Sequence, residues 1–187
     1  MKWLLAILFS AASTPALAGF VEVGGSVNYR SSGYDDFNYI RSLSYTASFS
    51  YYFWEMCAWE VNYTTGYSKQ MTRGTAALDP VTTVEDSIEM VSMDLVLSMA
   101  GREDPFRPYV KMGAGYLTKQ RYRKINDDPR ESISSQAGIV PSAGIGLSLT
   151  LAKGFSIKLG VDAWTSPLDE DPVVIDYAGR AGISFMF

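Results

Sequence analysis

The stretch GIGLSLTLAKGFSIKLGVDAW, residues 144–164, alternates apolar residues with small or polar ones on both sides of a central Lys153-Gly154 pair. A period of two is typical of β-strands with one apolar face, whereas an amphipathic helix repeats about every 3.6 residues. Two such runs joined by a short turn predict an antiparallel hairpin. The apolar members of the two runs are Ile145, Leu147, Leu149, Leu151, Phe155, Ile157, Leu159, Val161 and Ala163.

The same alternation recurs in eight segments of about ten residues or slightly more. In each segment one parity is mainly apolar, and the other parity carries charges together with many glycines and serines. This pattern predicts eight strands, each with one apolar and one polar face. The predicted strands span residues 20–30, 41–53, 58–69, 87–99, 107–119, 138–152, 154–165 and 173–187.

The connections between the predicted strands alternate in length. Short ones lie at 54–57, 101–106 and 153–154, and longer ones, rich in Gly, Ser, Asp and Pro, lie at about 31–40, 70–86, 120–137 and 166–172. An even number of strands with short turns at one end and long loops at the other is typical of a bacterial outer-membrane barrel. We therefore predict an all-β fold, an eight-stranded antiparallel up-and-down transmembrane β-barrel, located in the bacterial outer membrane.

Aromatic residues concentrate near both ends of the predicted strands, as expected for girdles at the two interfaces of a membrane. The group on the short-turn side is Phe20, Phe53, Trp54, Trp59, Phe106, Phe155, Phe185 and Phe187, and the group on the loop side is Tyr29, Tyr67, Tyr116 and Tyr177. A soluble barrel of the lipocalin kind would show the same alternation with its apolar face turned inward. The small residues of the polar parity and the aromatic strand ends favour the membrane form.

The first 18 residues predict a secretory signal peptide at 1–18, which leaves the barrel domain at 19–187. Lys2 precedes a short apolar run, and Ala16-Leu17-Ala18 follows it as a cleavage pattern. An uncut N-terminal anchor is the alternative, but the run is shorter than the roughly 20 residues that a spanning helix needs. Acidic residues outnumber basic ones, 20 to 16, which argues against nucleic-acid binding.

The last residues of the chain resemble the assembly signal of outer-membrane barrels, a terminal Phe preceded by alternating apolar residues. The matching positions are Tyr177, Ile183, Phe185 and Phe187. PYVKMGAGY (108–116) and the hairpin at 144–164 are similar to the fifth strand and the following hairpin of the small OmpX, OmpA and OmpW-type barrels. The resemblance implies the fold, contact with a lipid bilayer and recognition of the last strand by the barrel-assembly machinery. It implies little about activity, because one fold hosts many functions.

Catalysis is not expected, because the chain contains no histidine, the usual general base. The enzymes of similar architecture (lipid A acyltransferases, deacylases, phospholipases and omptin-type proteases) use an active-site histidine, and this chain departs from all of them. We predict no catalytic residue, no metal and no cofactor. Charges on the polar parity are instead predicted to form a salt-bridged network that fills the lumen. Its members are Glu22, Arg30, Glu60, Asp94, Lys111, Lys158, Asp162, Asp176 and Arg180.

A barrel of eight strands is only just wide enough for its own side chains, so we expect a plugged lumen. The sequence thus predicts a structural or surface-interaction role through the external loops, with a surface partner that no motif names. A narrow channel for small or apolar solutes is the alternative. The basic run at 118–124 is expected near the outer rim, either in contact with lipopolysaccharide phosphates or solvated and balanced by acids. Its cations are Lys119, Arg121, Arg123 and Lys124.

Overall fold

The computed structural model describes residues 19–35, 38–73, 80–126, 129–165 and 175–187, and the predicted signal peptide lies outside these ranges. Eight antiparallel strands form a closed barrel in which β8 pairs with β1, which confirms the predicted fold. The described residues contain no apolar helix of membrane-spanning length. The strands are β1 (Phe20–Asp35), β2 (Asn38–Trp54), β3 (Cys57–Arg73), β4 (Val81–Ser98), β5 (Phe106–Ile125), β6 (Glu131–Ala152), β7 (Phe155–Thr165) and β8 (Ile175–Met186).

The apolar parity of every strand lies on the outside of the barrel. Ile145 in β6 is 63% exposed, whereas the side chains that alternate with it point into the lumen. The arrangement of a soluble barrel, with its apolar face inward, is therefore not adopted. An apolar surface of this extent, closed around the barrel, is suited to lipid and not to water. Its members include Val23, Val27, Phe49, Val61, Met93, Met112, Ile145, Leu159 and Ile183.

Exposed aromatic side chains border this apolar belt at both ends, as predicted. Tyr29, Tyr67, Tyr116 and Tyr177 are each about half exposed at the end toward the long hairpins. Phe20 is an exception, because it lies inside the barrel and stacks on Tyr52 with 4.3 Å between ring centroids. Its even number gives it the inward parity of β1, so the prediction that it belongs to a girdle is wrong. The girdle at the short-turn end includes Trp54, Trp59, Phe106, Phe185 and Phe187.

Three of the four predicted long loops are wrong, because most of their residues continue the strands. Pairing runs as far as Asp35 with Asn38, and Arg73 with Val81. In β5 and β6 it runs to Arg123 with Glu131. Beyond the apolar belt the side chains no longer alternate between lipid and lumen, so the period of two disappears from the sequence while the backbone ladder continues. The fourth predicted loop, 166–172, lies outside the described residues.

Small residues of the inward parity make room for Tyr109. On successive strands Tyr109, Gly146 and Gly160 are register partners. A Cβ atom at Gly146 would collide with the Tyr109 hydroxyl group, and one at Gly160 would lie 2.6 Å from the backbone oxygen of Ile145. The phenol ring therefore occupies space that glycines leave open, which explains the glycines at positions 146 and 160.

Candidate functional site

Glu60 in β3 is the centre of a group of buried charges in the lumen. Its Oε1 lies 3.7 Å from Lys111 Nζ and 3.7 Å from Arg180 Nη1, and its Oε2 lies 3.9 Å from Lys158 Nζ. The Ser50 hydroxyl group donates a further hydrogen bond of 3.1 Å. The three cations come from β5, β7 and β8, none of which is adjacent to β3. These contacts therefore cross the lumen.

Two further carboxylates complete this group. Asp162 Oδ1 lies 3.1 Å from Lys111 Nζ, and Asp162 Oδ2 lies 3.4 Å from Arg180 Nη1. Glu22 forms a close ion pair with Lys158. Three carboxylates and three cations thus balance one another, as a buried group of charges requires. We refer to these six side chains as the lumen cluster: Glu22, Glu60, Lys111, Lys158, Asp162 and Arg180.

Asp94 lies beside the lumen cluster, but its carboxylate accepts hydrogen bonds from neutral side chains. Ser142 donates a hydrogen bond of 2.6 Å to its carboxylate, Asn62 donates one of 2.8 Å, and Ser92 donates one of 3.3 Å. Among the described residues no cation lies within ion-pair distance of Asp94. Asp94 therefore lies in the lumen as predicted, but its partners are hydroxyl and amide groups and not the predicted cations.

Arg30 and Asp176 form a separate ion pair nearer the hairpin end, with 2.6 Å between Nη1 and Oδ1. The Arg30 and Asp176 side chains remain 23% and 36% exposed, respectively, so this pair is more exposed to solvent than the lumen cluster. The Arg30 guanidinium group also lies 4.9 Å from the Tyr177 ring centroid. The nine predicted network residues thus divide into the lumen cluster, Asp94 and this rim pair.

Two buried lumen residues, Arg107 and Tyr52, make polar contacts but were not among the predicted network residues. Arg107, the first residue of the predicted fifth strand, is 4% exposed and hydrogen-bonds the hydroxyl groups of Ser148 and Ser156 at 3.2 and 3.4 Å. Tyr52 donates a 2.9 Å hydrogen bond to Glu22. Both belong to the inward parity of their strands, so parity alone could have identified them.

The basic run at 118–124 does not present a continuous cationic surface. Lys119 and Arg121 have the inward parity of β5, and both bind Asp86 of β4, at 3.2 and 2.8 Å. Arg123 lies 3.7 Å from Glu131. These contacts agree with the alternative of a basic run balanced by acids: Asp86 inside the barrel pairs with Lys119 and Arg121, and the exposed Glu131 lies near Arg123.

A cavity of about 330 Å³ occupies the hairpin end of the lumen, beyond the lumen cluster. Its wall combines the rim charges with the inward-facing apolar side chains of Ile40, Ile88, Leu117 and Trp164. A smaller cavity of about 50 Å³ adjoins it and reaches Asp162 and Arg180. The apolar side chains on the polar parity were not predicted.

The predicted assembly residues all lie on the outside of β8 or at its end. Tyr177, Ile183, Phe185 and Phe187 are between 45% and 70% exposed. The Phe187 backbone N–H donates a 2.8 Å hydrogen bond to the carbonyl group of Val21, which extends the seam between β8 and β1. Their recognition by the assembly machinery stays a prediction.

No protein-family model matches the chain, and no curated protein matches it. Several solved structures share its fold. The N-terminal β-barrel domain of OprF from Pseudomonas aeruginosa superposes with a TM-score of 0.54 at 18% identity, over 90% of this chain and 97% of that one. Neisserial surface protein A superposes with a TM-score of 0.58 at 14% identity, over 90% of this chain and 97% of that one. OprG from Pseudomonas aeruginosa superposes with a TM-score of 0.59 at 14% identity, over 90% of this chain and 95% of that one. The chain has the fold of the small eight-stranded outer-membrane barrels.

Proposed function

We propose that this protein is a non-enzymatic barrel of the bacterial outer membrane with a structural or surface-interaction role. The apolar belt and its aromatic borders support insertion in a bilayer. The short turns would face the periplasm, and the long hairpins would face the exterior. Lipid and lipopolysaccharide are the proposed surroundings, and the barrel-assembly machinery is the proposed partner during insertion. A surface partner would bind the external hairpins.

The observation that carries this proposal is the set of ion pairs across the lumen. Glu60 meets cations from three non-adjacent strands, and Glu60 and these three cations are each at least nine-tenths buried. Hydrated ions have no evident path through such a plug. Among the described residues, three polar hairpins (β1–β2, β3–β4 and β5–β6) extend beyond the belt and would be available to other molecules.

Planar-bilayer recording tests the closed lumen. The wild-type barrel should give no steady openings. A Glu60→Ala, Arg180→Ala double variant removes one charge of each sign from the plug and should conduct, which serves as the positive control. Steady openings of the wild-type protein would overturn the proposal.

A hairpin variant tests the surface role. Shortening the β3–β4 hairpin beyond Tyr67 and Ser87, with a tight turn in its place, leaves the apolar belt intact. Heat-modifiable gel mobility should show a folded barrel. Binding of whole cells to arrays of glycans and host proteins should decrease relative to cells that carry the full hairpin. Equal binding by both would count against a role for this hairpin.

A narrow channel for small or apolar solutes is the second candidate, and the outer cavity is the observation that favours it. Its volume of about 330 Å³ and its Ile88, Leu117 and Trp164 walls would suit a small amphipathic molecule. Uptake of such a solute by proteoliposomes, reduced by Leu117→Arg and unchanged by Lys124→Gln, would favour the channel. Uptake equal to that of empty liposomes would exclude it.

A further inference from the structure

Two cations lie opposite each other on the outside of the barrel, just beyond the apolar belt. Arg41 of β2 and Lys69 of β3 are register partners, and the next outward pair toward the belt is Leu43 with Tyr67. Leu43 and Tyr67 are 40% and 46% exposed on the lipid-facing side. Residues two apart in a strand share a face, so the two cations have the same outward face as the belt.

This arrangement is unfavourable in the isolated barrel, because like charges directly opposite on a sheet repel each other. The Arg41 guanidinium group lies 4.8 Å from the ring centroid of Tyr39, which holds it against the outer wall. No ion pair joins Arg41 or Lys69 to any side chain that the structure describes. An anion from outside the protein would relieve the repulsion.

Two acidic residues of β4 share this outward face, but they do not serve as that anion. Glu85 is the register partner of Lys69 on β4. Its carboxylate instead lies 3.9 Å from the Arg130 guanidinium group. Glu89 also faces outward, but it is paired with Thr65, four residues along β3 from Lys69.

We propose that Arg41 and Lys69 bind a phosphate group of lipid A in the outer leaflet. The pair lies one outward position beyond a girdle tyrosine, at the level where headgroup phosphates meet the protein. A guanidinium group and an ammonium group together offer charge-assisted hydrogen bonds to a phosphate. The inference rests on the proposed outer-membrane location, and it places the lipopolysaccharide contact on β2 and β3, away from the basic run of β5.

Titration of the refolded full-length barrel with two lipids tests the proposal. Phosphatidylcholine nanodiscs would carry either diphosphorylated lipid A or its dephosphorylated form, and bound lipid would be counted by native mass spectrometry. Wild-type protein should prefer the phosphorylated lipid. Arg41→Gln and Lys69→Gln should each weaken that binding about fivefold, the effect of roughly 1 kcal/mol per cation near a lipid surface. Lys153→Gln, which alters an exposed cation in the turn at the opposite end of the barrel, should change nothing.

The outcomes separate this inference from the proposed location. Unchanged preference for phosphorylated lipid A in both single variants would overturn the site. Displacement of the lipid by inorganic phosphate alone would show an adventitious ion only and would also overturn it. A barrel that binds no lipid A of either form but still folds in nanodiscs would contradict the site and leave the membrane location standing. Failure to insert into any nanodisc would contradict the location itself.

Discussion

Arg180 on β8 reaches Glu60 on β3 across the lumen, with 3.7 Å between Nη1 and Oε1, although the two strands are not neighbours. The same guanidinium group lies 3.4 Å from Asp162 and donates a 2.9 Å hydrogen bond through Nε to Ser26. One side chain therefore connects β8 with β1, β3 and β7. Because β8 pairs with β1 to close the barrel, the arginine contributes both to this closure and to packing of the lumen.

Replacing Arg180 with Met should lower the free energy of unfolding by about 3–5 kcal/mol, because Glu60 and Asp162 would lose a buried partner. Urea unfolding in lipid vesicles measures this change. Arg30→Met is the matched control, since its ion pair with Asp176 is partly exposed and should cost only about 0–1 kcal/mol. Equal costs at both sites would indicate a water-filled lumen and favour the channel.

Ile145→Arg should destabilise the barrel by about 2–4 kcal/mol, because this position lies in the middle of the apolar belt. Ile139→Arg, on the same face of β6, should cost only about 0–1 kcal/mol near the hairpin-side interface. The two isoleucines are 63% and 60% exposed, so differences in packing are small. Folding into vesicles followed by urea titration compares them. A cost that does not depend on depth would contradict a bilayer around the belt.

Gly160→Ala should cost about 1–3 kcal/mol, because the new methyl group would press on the Ile145 backbone and the Tyr109 hydroxyl group. Gly25→Ala is the control, since a Cβ atom there meets nothing within 4 Å. That variant should be neutral or up to about 1 kcal/mol more stable, because alanine restricts the unfolded chain. Similar effects of the two changes in thermal unfolding would show that the packing of Tyr109 does not require a glycine at position 160.

The sequence predicted those features of the fold that follow from contact with the bilayer. Lipid requires an apolar side chain at every second position, so the parity of residues such as Ile145 and the inward position of Glu60 follow directly from alternation. Outside the bilayer this requirement ends, and the polar continuation of β3 to Arg73 carries no readable period. Strand length beyond the belt could therefore not be predicted.

The partners of individual inward-facing charges were also not predicted. Lys119 and Arg121 were expected near the outer rim, in contact with lipopolysaccharide or balanced by acids, and their parity turns them toward Asp86 on the neighbouring strand. Asp94 was expected to pair with a cation, and hydroxyl and amide groups satisfy it instead. Which side chains meet inside a closed barrel depends on the stagger of its strands, the shear. Neither the composition nor the spacing of the sequence allows the shear to be predicted.

The most direct test of the central claim is fluorescence quenching of single-tryptophan barrels in vesicles of lipids brominated on their acyl chains. One variant keeps Trp59, which is 45% exposed on the outside of the barrel in the girdle at the short-turn end, and the other keeps Trp164, which lines the lumen cavity. All other tryptophans become Phe. Bromine should strongly quench Trp59 and leave Trp164 nearly unaffected. Equal quenching of the two, or an unquenched Trp59, would contradict a barrel that turns its apolar face to lipid.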